Sequence, residues 1–220
     1  MRTRFPRQIA GSGCSTGSCP PQRNSGGVMA TRAQIEAVKE AALLTPLWGQ
    51  EYVGPAFTSD PEAVFSLMVA LTDHQRASMV RLLYRARVAP AAFRPALEFA
   101  WTQSHHYGDV LKVARTWRQF VRWCRYAAFP LPTDTPDPVT IYRGAQGVNE
   151  KEALWGAVSR PSWTLSRDKA KWFANRWDHL SDGVVVGATV PRGAIMFYSS
   201  GRQEQEVIPE TLPPPGWHVL

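Results

Sequence analysis

The chain has 220 residues, of which 44% are hydrophobic and nine are tryptophan, and a formal net charge of +7. That supplies a sizeable core, and the length suits one domain or one domain with a smaller helical region. No stretch approaches the roughly 18–20 apolar residues of a membrane-spanning helix, and no apolar core of a secretory signal is present, so the expectation is a cytoplasmic protein without a membrane partner, open to delivery into a host cell. Cys14, Cys19 and Cys124 do not make a disulfide framework, and Cys14 and Cys19 lack partners for a metal.

Residues 1–28, rich in Gly, Ser, Pro and Arg, read as a disordered basic tail, and Met29 opens the first helical pattern. A helical region is expected over 29–129. Ile35, Val38, Ala42 and Leu43 fall at helical spacing within 31–44. Ser59-Asp60-Pro61-Glu62 caps a helix carrying Phe65, Leu67, Met68 and Leu71, and Thr72-Asp73-His74-Gln75 caps another with Met79, Leu82 and Leu83. Pro90 and Pro95 bracket a short connection before a helix through Trp101. Asp109 to Tyr126 reads as one long amphipathic helix. Val110, Val113, Ala114, Trp117, Phe120, Val121 and Cys124 form its apolar stripe, beside a basic stripe of Arg115, Arg118, Arg122 and Arg125. Trp123 lies off the apolar stripe and is expected to be exposed. The Pro-rich run 130–138 can be neither helix nor central strand, and a β-rich core is expected over 130–220.

Three stretches of that core carry chemistry. Val139-Thr140-Ile141-Tyr142-Arg143-Gly144 reads as a strand ending in an Arg and a Gly, where a planar guanidinium can grip a phosphate. Ser162-Trp163-Thr164-Leu165-Ser166 alternates like a short strand. Ser166 then caps a helix with Ala170, Phe173 and Ala174 on one face. Finally, Glu204 and Glu206 are two apart on what reads as an extended segment, which puts both carboxylates on one face before the apolar Val207-Ile208-Pro209. Alone, such a pair is most often two solvated charges; a closed site would use them on a cation. His179 and His218 are isolated, His105 and His106 sit in a loop before a helix, and nothing has zinc-ligand spacing, so no metal is expected.

Taken in order, Arg143, Thr164-Leu165-Ser166 and Glu204-Gln205-Glu206 resemble the Arg–Ser–Glu signature of mono-ADP-ribosyltransferases of the cholera-toxin-like class, over residues 138–212. The resemblance implies an α+β fold: a helical N-terminal region followed by a split, mostly antiparallel β-sandwich core that clamps NAD. It implies that Arg143 contacts the NAD phosphates, with Gly144, Ser162, Ser166 and Phe173 also in the NAD site. Glu206 would stabilise the oxocarbenium-like state as the nicotinamide–ribose bond breaks, and Thr164 would stand where the family has its first Ser, Ser162 being the alternative claimant. Glu204 would hold an arginine acceptor, as a Glu at that position does in the family. NAD is then the substrate, no metal is called for, and the chain would be a glycosyltransferase acting as a toxin or effector in a bacterial or phage context. The helical region would fold over the cleft and could supply Tyr107, Arg115 or Trp117.

Residues 1–130 hold 16 Lys/Arg and 8 Asp/Glu, whereas 131–220 hold 9 and 10. The basic half suits an acidic protein target or a nucleic acid. The main reading is therefore transfer to a protein arginine. The alternatives are ADP-ribosylation of a nucleic acid, or a non-catalytic basic nucleic-acid-binding protein on a transferase-like scaffold.

Overall fold

The computed structural model describes residues 30–103, 108–177 and 183–220. The expected tail with Cys14 and Cys19, as well as Met29, His105, His106, Tyr107 and His179, lies outside the described residues. Thr31–Leu220 is one compact unit.

Polar caps set the early helices. α1 (Arg32–Leu44) begins with a capping box in which Thr31 and Gln34 satisfy each other's backbone N–H. It buries Ala37 and Ala41, while Leu43 is 89% exposed and Ile35 46%. The expected apolar face is thus rotated. Glu40 receives Arg81 and Arg85 at 2.8 and 3.0 Å, and Gln34 reaches the carbonyl of Ala86, which turns the alanines toward the bundle. A short 3₁₀ turn (Leu47–Tyr52) and α2 (Val53–Phe57) follow. α3 (Pro61–Ala70) starts with Asp60 accepting the N–H of Glu62 and Ala63, and Pro61 in its first turn. α4 (Asp73–Arg85) starts with the Thr72–Gln75 box and buries Met79, Leu82 and Leu83.

The next two helices depart from expectation. α5 runs from Pro90 to Thr102 with Pro95 inside it. The ring removes a ladder bond near the helix start, but Phe93, Ala96, Leu97, Ala100 and Trp101 are all buried on the inner face. The single helix expected over 109–126 is two, α6 (Gly108–Ala114) and α7 (Trp117–Ala127). Arg115 takes a left-handed φ of 65° and the Thr116 side chain caps α7 through the N–H of Gln119, so a local polar cap overrides the continuous apolar period. Trp123 is 1% exposed, not a surface ring. It packs near Tyr84, at 6.0 Å between ring centroids.

Residues 130–138 contain neither helix nor strand, and the Arg192 guanidinium binds the carbonyls of Pro132 and Thr135 there. Then come β1 (Val139–Ala145), α8 (Glu150–Ser159), β2 (Trp163–Thr164), α9 (Arg167–Ala174), β3 (Val184–Val190), β4 (Ile195–Ser199), β5 (Glu206–Pro209) and β6 (His218–Val219). α8, capped by Asn149, was not anticipated. The fold is α+β: helices with an antiparallel sheet. The described strands form one sheet, ordered β4-β5-β2-β1-β3-β6, rather than two facing sheets. Its two three-strand halves meet in a single pair, Tyr142 with Thr164.

Two features of packing place the site. The helical core includes Met196, Phe197 and Ile208 from β4 and β5, so α5 and α7 pack on that edge of the sheet. On the other half, α9 lies so close to β1 that a Cβ at Gly144 would sit 1.8 Å from the Ala170 carbonyl oxygen. Only glycine admits that approach.

Candidate functional site

One row of paired residues crosses the sheet: Ser199, Glu206, Thr164, Tyr142, Gly187 and His218. Cross-strand partners share a face, and the face that carries Ser199 and Glu206 meets α5. Ser199 donates to Glu98 Oε1 at 2.7 Å, and Trp101 Nε1 donates to Glu206 Oε1 at 2.8 Å. Ser162 Oγ donates to the same oxygen at 2.5 Å. Stacking on Phe120, with centroids 5.0 Å apart, holds the Trp101 ring.

Glu206 is 9% exposed, and its carboxyl is held above the usual carboxylate range. Burial is the main cause and the charge of Glu204 adds to it, against the hydrogen bonds from Ser162 and Trp101 and the charge of Arg143. A buried acid raised by desolvation beside a cation is the kind of group around which functional sites are built.

The carboxylate borders a cavity of about 280 Å³ with Trp101, Tyr142, Arg143, Ser162, Phe173 and Glu204 on its walls. Gly144 and Thr164 line it too. Of the residues singled out from the sequence, Glu206, Glu204, Arg143, Gly144, Thr164, Ser162 and Phe173 are brought together here. Ser166 is not on the wall. Its hydroxyl accepts the Lys169 N–H at 3.2 Å and caps α9.

Within the cavity the geometry distinguishes Ser162 from Thr164, and it corrects the expected shared face of the two glutamates. Ser162, not Thr164, gives its hydroxyl to Glu206; Thr164 Oγ1 donates to the Glu204 carbonyl at 2.6 Å and accepts the Ser166 N–H at 3.1 Å. Glu204 and Glu206 do not share a face by strand alternation. Glu204 has helical φ and ψ at the end of a 3₁₀ turn (Gly201–Gln203), and Gln203 and Gln205 on either side have φ of 56° and 47°. Two left-handed non-glycine residues are unusual, and the loop is tied by Leu165 N–H to the Gln205 carbonyl and by Thr164. The bend still brings Glu204 to the cavity.

Sequence reasoning missed Trp101, Thr102 and Arg176 on the wall. Trp101 sits in the apolar stripe of α5, and nothing local marks its N–H as facing a carboxylate 105 positions away. The helical region contributes Trp101 and Thr102, rather than the candidates Arg115 and Trp117. Arg115 is exposed at the helix break and Trp117 donates to the Glu210 carbonyl. Of the basic stripe on α7, Arg118, Arg122 and Arg125 are exposed, and Arg125 pairs with Glu210 at 2.6 Å.

Among the described residues no group of three His, Cys, Asp or Glu is placed to hold a metal ion, and no helix is long and apolar enough to cross a membrane. Compared with protein-family models, curated proteins and solved structures, the chain gives no match.

Proposed function

We propose that the chain is an NAD-dependent mono-ADP-ribosyltransferase acting on arginine side chains of a target protein. The observation that carries this reading is Glu206: a buried carboxylate, fixed by Ser162 and Trp101, on the wall of a polar cavity that also presents Arg143 and Glu204.

The residues present suit such a substrate. Both donors reach Oε1 of Glu206, so Oε2 has capacity to accept from a ribose hydroxyl. About 280 Å³ suits a nicotinamide and its ribose rather than a whole dinucleotide. Arg143 on the wall offers a cation where a diphosphate would follow. When bound, NAD would supply the ADP-ribosyl group, its nicotinamide–ribose bond breaking with the electron pair leaving on nicotinamide. Glu206 would then set a fixed negative charge beside the positive charge developing on the ribose, and its burial away from water strengthens that interaction. Glu204, on its bent loop, would orient a guanidinium through paired hydrogen bonds, accept the proton lost as nitrogen bonds to the ribose carbon, and return it to water.

Incubation with labelled NAD and a cell lysate tests the reading. Label that survives nuclease, is released by protease and is sensitive to arginine-directed chemistry is the expected result. No labelled product and no NAD hydrolysis would overturn it; label released by nuclease would move the acceptor to nucleic acid.

A further inference from the structure

Trp155, Trp172 and Trp177 are 70%, 51% and 49% exposed, and Arg176 links Trp172 to the hollow that the other two border. Trp155 and Trp177 line a hollow of about 440 Å³ beyond Arg143. Arg176 lies between the other two rings, its guanidinium carbon 5.1 Å from the Trp172 centroid and 4.8 Å from that of Trp177. Lys169 Nζ stands 5.4 Å from Trp172. Gln146 fixes the Trp177 backbone from both sides, donating to its carbonyl and accepting its N–H, each at 3.0 Å.

The charge here is mostly positive. Arg160, Arg167, Lys169, Lys171 and Arg176 stand against Asp168 alone between 160 and 177. Glu152, the acid bordering the hollow, sits in the first turn of α8 and accepts the N–H of Val148 just ahead of that helix. This cationic and aromatic face lies in the half of the chain with the smaller net charge, and the basic stripe of α7 has no exposed ring to match it, since Trp123 is buried.

We infer that this face binds a single-stranded nucleic acid, with bases stacked on Trp155, Trp172 and Trp177 and phosphates held by Arg160, Lys169 and Arg176. Indoles interleaved with cations are what an unpaired strand needs, because every base offers a stacking face and every link a negative charge. A duplex hides its base faces. An acidic peptide would use the cations and leave three rings idle. A mononucleotide would occupy one ring. The site adjoins the carboxylate cavity, and the inference does not depend on NAD turnover; Arg143, Gly144, Phe173 and Arg176 border both hollows, so a strand held here passes close to Glu204 and Glu206.

Anisotropy with a labelled single-stranded DNA of about 12 nucleotides, within the usual span of one such site, tests it. The full chain is used, with and without saturating NAD, against the same sequence as a duplex. Expected are preference for the single strand, quenching of tryptophan fluorescence, affinity that falls as salt rises, and roughly five- to hundred-fold weaker binding for each of W155A, W172A and W177A. W172F, which keeps a ring, should retain most of the affinity. Melting temperatures of the variants should match the wild type, because each ring is about half exposed or more. Equal affinity for duplex and strand, wild-type binding by the alanine variants, or displacement of the strand by saturating NAD would overturn the inference. Labelling with NAD is read separately, so either result can fail without the other.

Discussion

Glu206 receives two hydrogen bonds on one oxygen, yet its carboxyl remains above the usual range because burial outweighs them. A carboxyl whose folded value is raised carries a stability cost at pH above that value. The cost is relieved as pH falls through it toward the ordinary 4.5. Glu206→Gln should therefore be at least as stable as the wild type at neutral pH, with the difference gone in acid, as read by denaturant unfolding across pH. The Gln oxygen can still accept from both donors. Under the transferase reading the same variant should lose about 10²–10³-fold in NAD cleavage, on the order of 3–4 kcal/mol of lost charge stabilisation. Wild-type turnover would remove Glu206 from the mechanism.

Trp101→Phe separates a positioning role from packing. It keeps a ring on Phe120 and deletes the N–H that lowers the Glu206 value. Under the transferase reading the acid limb of the pH–rate profile should move toward neutral, with kcat reduced below it and little change in KM. An unmoved acid limb would make Trp101 a core residue only. Residue by residue, the site was legible where chemistry resides in a side-chain type: Arg143, Glu204 and Glu206 stand out as charges at the ends of apolar runs. Alternation puts Ser162 and Thr164 on the face of Glu206 alike, so spacing alone does not tell which hydroxyl reaches the carboxylate; Ser162 does, and Thr164 turns to the Glu204 carbonyl.

At the scale of elements, capped helices were legible and interrupted ones were not. Asp60-Pro61 and Thr72 with Gln75 are local signals, and the helices start where they stand. The break at Arg115–Thr116 hides inside a continuous apolar period, and Pro95 is held in α5 by the burial of its neighbours. The seating of α9 on β1 is equally non-local. Gly144→Ala would bring its Cβ to 1.8 Å from the Ala170 carbonyl oxygen and 2.8 Å from the Ala174 nitrogen, both backbone atoms that cannot swing aside. Overpacking typically costs 1–3 kcal/mol, and a backbone clash belongs at the upper end of about 3 kcal/mol or beyond. Since Phe173 lies on α9 and Arg176 just beyond it, ligand affinity in the cavity should fall together with the melting temperature. A variant of wild-type stability would show that α9 is not seated as described.

For the whole molecule, the sequence divides into a helical half and a β-rich half, but the core does not. Met196, Phe197 and Ile208 lie in the helical cluster, and Ser199 and Glu206 are bonded to Glu98 and Trp101 of α5. Amphipathic periods reveal that each half has an apolar face, not that the two faces meet. The consequence can be tested with a fragment of residues 130–220. Exposing those three apolar side chains forfeits about 1.5–3 kcal/mol each, roughly 5–9 kcal/mol together, comparable to the entire stability of an ordinary domain. Glu206 would also lose one of its two donors. The fragment should show no cooperative unfolding transition and, under the transferase reading, no NAD cleavage, and adding the helical half as a separate chain should restore part of both if the halves can dock. A fragment that unfolds cooperatively and cleaves NAD at the full-length rate would show that the helices cover the site without building it.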